Sequence, residues 1–338
     1  MTEHGDAGTR ILILGGAGML GQKLLQHLAT HGLPGQAIES VCLYDIVEPA
    51  APEGLPFSVS TRTGALHTAG EADWLAAQRA DAVFHLAAIV SGDAERHFDR
   101  GWDINARSSW ALLEALRNEH LASDGSYRPR LVFASSIAVF GAPFPDKIGD
   151  DFHATPLTSY GSQKAMTELQ VADYSRKGFV DGISVRLPTV TVRPGKANLA
   201  ASSFFSSIIR EPLNGQRAVL PVDDSVRHWH ASPRSAAGFL AHAATLAQAD
   251  LGGRPTLNMP GYSCTVAEQI EALRSVAGGD VVARIVHQPD PEVAAIVHNW
   301  PRNFDVQRAP ALGFRSEASY EDIIRVYIED DLPHHPPT

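Results

Sequence analysis

The chain has 338 residues, 44% of them apolar, and 28 basic against 38 acidic residues give it a formal charge of −10. That size allows a full core in one α/β domain or in one domain with a smaller lobe, while an acidic balance without a basic cluster leaves no electrostatic footprint for nucleic acid. The longest apolar run, residues 82–90, is interrupted by His85 and falls far short of the roughly 20 residues a spanning helix needs, so no membrane partner is expected.

Residues 1–9 read as a flexible start without the apolar core of a secretion signal. The two cysteines, Cys42 and Cys264, fit a reducing cytoplasm better than a disulfide framework, and neither a thiolate metal site nor a cysteine nucleophile is expected. The first strong element is Ile11–Leu14, four apolar residues suited to a central parallel strand covered on both faces. It runs into Gly15, Gly16, Gly18 and Gly21, and from Leu20 onward Leu24, Leu25 and Leu28 recur at helical spacing. Glycine allows a tight turn and close backbone approach, and a helix opening there offers free N–H groups to a pyrophosphate. The expected ligand is a dinucleotide held by Gly15, Gly18, Met19, Leu20 and Gly21.

A second strand, Val41–Asp45, ends in a carboxylate placed to receive the adenosine ribose hydroxyls. Since Ile46, Val47 and Glu48 follow rather than an arginine, NAD is expected over NADP. After a proline-rich loop at residues 49–56 come a third strand, Phe57–Ser60, and a fourth, Asp81–Ala87, whose small residues Ala87 and Ala88 leave room for a flat ring. The next residues, 89–92, read as a loop at a strand's carboxyl end, with Ser91 as a candidate substrate contact. Asn105 precedes a helix whose buried face reads Ala111, Leu112, Ala115 and Leu116. The fifth strand, Leu131–Ser135, leads into Ser136. Tyr160 and Lys164 share one face of a helix after Pro156, and the sixth strand, Ile183–Leu187, is broken by Pro188. Residues 10–190 thus read as a dinucleotide-binding domain and 191–330 as mostly a substrate lobe that returns a strand near 256–259, with a tail at 331–338.

These residues together resemble the extended short-chain dehydrogenase/reductase family, also called NAD-dependent epimerase/dehydratases. The likeness rests on the glycine turn, Asp45, His85-Leu86-Ala87-Ala88, Asn105, Ser135-Ser136 and Tyr160-x-x-x-Lys164, and it continues through Leu257-Asn258 and Ala311-Leu312-Gly313-Phe314. Leu14 stands where the family often has threonine, and Phe140 where it often has tyrosine. The resemblance implies a Rossmann-like doubly wound parallel sheet with a smaller C-terminal substrate lobe, NAD as cofactor, and a homodimer paired through the helices bearing Tyr160 and Asn105. It adds Ala65, Leu66, Leu86, Ala87, Ala88, Asn105, Tyr160, Lys164 and Pro188 to the cofactor contacts. It also implies Tyr160 as base, Lys164 as its activating cation, Ser136 on the reacting oxygen and Asn105 supporting Lys164.

The chemistry has its own rationale. A free tyrosine has a pKa of about 10, and one ammonium near 4 Å supplies about 4 kcal/mol at an effective dielectric of 20, the amount needed to bring a phenolate within reach of neutral pH. For the substrate, Ile137 stands where the family's dehydratases carry an acid. The runs at 185–195 (VRLPTVTVRPG), 202–205 (SSFF) and 227–233 (RHWHASP) resemble a branch acting on a four-carbon sugar acid. Arg193 and Arg227 are the candidate carboxylate forks. The leading expectation is NAD-dependent oxidation of the C2 hydroxyl of a small sugar acid. A nucleotide-sugar 4-epimerase and a non-catalytic NAD-binding regulator are the alternatives, and His228, Trp300 and Arg302 have no assigned role.

Overall fold

The computed structural model describes residues 8–195 and 202–332, so the expected flexible start at 1–9 and tail at 331–338 lie mostly outside the described residues. The sheet begins with β1 (Thr9–Leu14), β2 (Ile38–Asp45) and β3 (Ser58–Thr63), and continues through β4 (Ala82–His85), β5 (Arg130–Ser136) and β6 (Asp181–Leu187). After β7 (Arg227–Ala231), which lies in a separate small sheet, β8 (Thr256–Asn258) joins the main one. Seven strands run in the order β8-β6-β5-β4-β1-β2-β3, and every pairing is parallel. This is the doubly wound Rossmann-like architecture that the family resemblance implied.

The apolar run of β1 is explained by what covers it. Ile11 and Ile13 enter the core beneath α1 (Met19–His31), with Leu24, Leu25 and Leu28, whereas Leu12 and Leu14 enter the core on the opposite face, with Leu75, Leu112 and Leu116. A strand buried on both faces has no polar side to alternate with. Each of these side chains gains about 1.5–3 kcal/mol from burial.

Several local expectations shift. The third strand starts at Ser58 and runs to Thr63. Ser91 opens a short helix, α2 (Ser91–Arg96), rather than lying in a loop. Asn105 sits inside a π-helical turn, Trp102–Arg107, that feeds α3 (Ser108–Ala122). Along α3 Ala111 is exposed, and the buried face is Ser108, Ser109, Leu112, Leu113, Ala115 and Leu116.

Beyond β6 the chain builds a lobe. There β7 pairs parallel with Thr189–Val190 and antiparallel with Tyr262–Thr265. Its core gathers Phe204, Phe205, Ile208 and Ile209 of α5 (Ser203–Leu213), counting the helix Ser159–Arg176 as α4, against Leu273, Ile323 and Ile324. Among the described residues no helix is long and apolar enough to cross a membrane.

Candidate active site

Strand order reverses between β1 and β4, because the chain moves from β1 out to β2 and β3 and then crosses back to β4 on the other side. Ligands in open α/β sheets bind at such a point, outside the carboxyl ends of the strands. A cavity of about 950 Å³ lies there, lined from the glycine turn and Asp45 at one end to Arg193, His228 and Trp300 at the other.

The glycines define its floor. Gly15 has a φ of 87°, and a Cβ there would lie 2.8 Å from the Ala87 nitrogen; a Cβ on Gly21 would fall onto the Gly15 carbonyl oxygen. Only glycine lets the β1 turn, the start of α1 and the Leu86–Ala88 segment meet so closely. The α1 helix opens at Gly18 without a side-chain cap and without an acid in its first turn, so its free N–H groups and positive end suit an anionic ligand. The Asp45 carboxylate accepts from the Ala17 nitrogen at 2.9 Å and the Ile46 nitrogen at 2.7 Å, which fixes it at the cleft's edge. Met19, Leu20, Leu66, Leu86, Ala87, Ala88 and Pro188 also line the cavity. Ala65 does not; its carbonyl closes a turn with Thr68. A glycine cradle, a free helix end and a carboxylate for a ribose diol fit NAD, and the carboxylate would repel a 2′-phosphate.

At the middle of the cleft α4 begins at Thr158, whose side chain accepts from the Gly161 nitrogen at 3.1 Å, and it carries Tyr160 and Lys164 one turn apart toward the end of β5. Ser136, at that end, accepts from the Ala138 nitrogen at 3.1 Å, and its hydroxyl bonds to Tyr160. The Lys164 ammonium is buried, donates to the Ala134 carbonyl at 2.8 Å and lies 5.6 Å from the Tyr160 ring centre. Burial lowers its pKa to about 7, opposed by Glu168 one turn further along α4. Glu168 is itself gripped by Arg186 at 2.9 and 2.7 Å.

The sequence reading made Lys164 the cation that acidifies the phenol, and Arg193 joins it in the cleft as a second cation. Burial pushes Tyr160 up to about 12, and the charge that pulls it down is Arg193, followed by the Ser136 hydrogen bond. Asn105 stands one layer behind the cleft. Its carboxamide accepts from the Ile89 nitrogen at 2.9 Å and donates to the Ile89 carbonyl at 3.2 Å and to Gln163 at 2.8 Å.

The two candidate arginines separate. Arg193 lines the cleft, with its Nε donating to the Val190 carbonyl at 3.0 Å and its Nη2 to Ser202 at 3.1 Å. Arg210 braces it by donating to the Arg193 carbonyl at 2.8 Å. Arg227 lies outside the cleft lining, paired with Glu268 at 3.1 Å and with the Ser263 carbonyl at 3.1 Å. Arg302 is also outside the lining, whereas Ser91, His228 and Trp300 belong to it. Sequence reasoning missed Thr189, Ser206, Arg210 and Ile296. The first three lie within or near the runs at 185–195 and 202–205, and Ile296 carries no local signal.

Residues 11–244 match the family described as "NAD dependent epimerase/dehydratase family". The chain is 46% identical to the D-erythronate dehydrogenase of Cupriavidus necator over 95% of its own length and 98% of that protein. It is 40% identical to the D-erythronate dehydrogenase of Haemophilus influenzae, over 96% of its length and all of that protein. Among solved structures, one described as a nucleoside-diphosphate-sugar epimerase from Agrobacterium tumefaciens superimposes with a TM-score of 0.93 at 54% identity, covering 96% of this chain and 95% of that one. With the glycine cradle and the Ser136, Tyr160 and Lys164 arrangement in place, these likenesses establish that the chain belongs to the NAD-dependent epimerase/dehydratase family, as an NAD-dependent dehydrogenase.

Proposed function

We propose that the chain oxidises the C2 hydroxyl of D-erythronate, or of a close aldonate, to the 2-oxo acid in the cytoplasm. The observation that carries this reading is that Arg193 and the Tyr160 phenol line the same cleft. In a 2-hydroxy acid the carboxylate and the reacting hydroxyl sit on adjacent carbons, so the groups that bind them must be neighbours too. Arg193 takes the carboxylate, Ser136 and Tyr160 hold the carbinol oxygen, and the Tyr160 oxygen receives the hydroxyl proton as that oxygen becomes a carbonyl. NAD, when bound, supplies the hydride acceptor and a cationic ring. Lys164, charged below about pH 7, adds positive charge behind the phenol, and Glu168 keeps the ammonium from losing more to burial.

The relatives named D-erythronate dehydrogenase support this substrate. The description of the Agrobacterium structure favours a second reading, a nucleotide-sugar epimerase. Against it stand the two relatives covered over nearly their full length, both named D-erythronate dehydrogenase. Absorbance of NADH across four- to six-carbon sugar acids tests the two. Turnover with D-erythronate is expected. Conversion of UDP-glucose with no net NADH, and no reaction with any sugar acid, would refute the reading.

A homodimer is proposed as well. Trp110 on α3 is 53% exposed, and Met166 and Leu169 on α4 are 40% and 73% exposed, so both helices present apolar side chains to solvent. Light scattering should give twice the chain mass, and the mass of a single chain excludes the pair.

A further inference from the structure

His228 lies on β7 and lines the substrate end of the cleft, yet the hydride-transfer scheme makes no use of it. Its ring is 2% exposed. Phe205 stacks on it at 5.0 Å with the planes 1° apart, and Trp300 closes the other flank at 5.4 Å, so the imidazole cannot turn. Burial, reinforced by Arg193, lowers its pKa to about 3, and the ring therefore carries a single N–H throughout the physiological range.

Nδ1 is buried and has no hydrogen-bond partner among the described residues, and Nε2 is 2.6 Å from the Thr189 hydroxyl oxygen. Thr189 itself lines the cleft between Pro188 and Arg193. A ring packed on both sides holds that hydroxyl in one direction, whichever of the two donates. A hydroxyl of fixed direction recognises a ligand hydroxyl and leaves a plain methylene unrewarded.

We propose that His228 is a positioning residue that fixes the direction of the Thr189 hydroxyl, so that the cleft selects acids carrying a hydroxyl beyond the one oxidised. This rests on the sugar-acid reading and deepens it, since it separates polyhydroxy acids from simple 2-hydroxy acids.

The test compares kcat/KM for D-erythronate and for 2-hydroxybutanoate, which lacks both further hydroxyls. Thr189→Val should lower the ratio of the two by about tenfold or more, with the loss confined to D-erythronate. Thr189→Ser should restore the ratio. His228→Phe, which leaves the threonine hydroxyl free to rotate, should lower it, and His228→Gln, whose carboxamide can still hydrogen-bond that hydroxyl, should preserve it. Equal losses on both acids, or an unchanged ratio in Thr189→Val and His228→Phe, would overturn the assignment. If the wild-type chain oxidises neither acid, the sugar-acid reading itself fails, a result distinct from oxidation at an unchanged ratio.

Discussion

Tyr160→Phe should lower kcat for sugar-acid oxidation by about 10²–10⁴-fold, the range expected when a positioned acid–base group is lost, while NADH affinity measured by fluorescence titration stays close to wild type. The separation follows from the architecture. The groups fitted to the dinucleotide's phosphates and adenosine are the glycine turn, the open end of α1 and Asp45, at one end of the cleft, while the phenol stands at its middle. Removal of the oxygen at position 160 leaves them untouched, and Lys164 keeps its bond to the Ala134 carbonyl. Turnover like that of wild type in this variant would take Tyr160 out of the chemistry.

Arg193→Met carries the second large effect, and it has two parts. The carboxylate loses a charged hydrogen-bonding partner worth about 1.5–3 kcal/mol, so kcat/KM falls by about 10–150-fold. The second part concerns pH. Arg193 is a positive neighbour that lowers the Tyr160 pKa against the upward push of burial. Without it the phenolate becomes harder to form, and the rising limb of the rate profile moves to higher pH. Arg193→Lys divides the two: the charge remains and the limb stays near its place, but a fork is replaced by a point charge and KM rises. Arg227→Met serves as the control, because Arg227 is committed to Glu268 outside the cleft, and its KM should remain within about twofold. An Arg193→Met enzyme with unchanged KM and unchanged profile would remove this arginine from the site.

What the sequence made legible were patterns contained within one turn of chain. The strand, glycines and helix of residues 11–28 announce their geometry because all the steric demands are local, and Tyr160 and Lys164 declare a common face by their spacing. Partners brought from a distance were not legible. Arg193 and Arg227 look alike in the chain; what separates them is that β7 pairs with Tyr262–Thr265 and so carries Arg227 to Glu268. The sign of the Tyr160 shift was hidden for the same reason, since desolvation depends on everything packed around the ring, while only the lysine four residues on was visible beforehand. The π-helical turn at Trp102–Arg107, on which Asn105 sits, left no mark in composition.

That turn has a mechanical consequence. A single carboxamide on it clasps both the amide and the carbonyl of Ile89, the residue that follows the small-residue floor of the cleft. The clasp ties the floor to the helix layer behind it, so the two move as one body. Both polar groups of the last floor residue before Val90 are thereby held by one side chain, which anchors the approach to α2 and to Ser91 at the cleft.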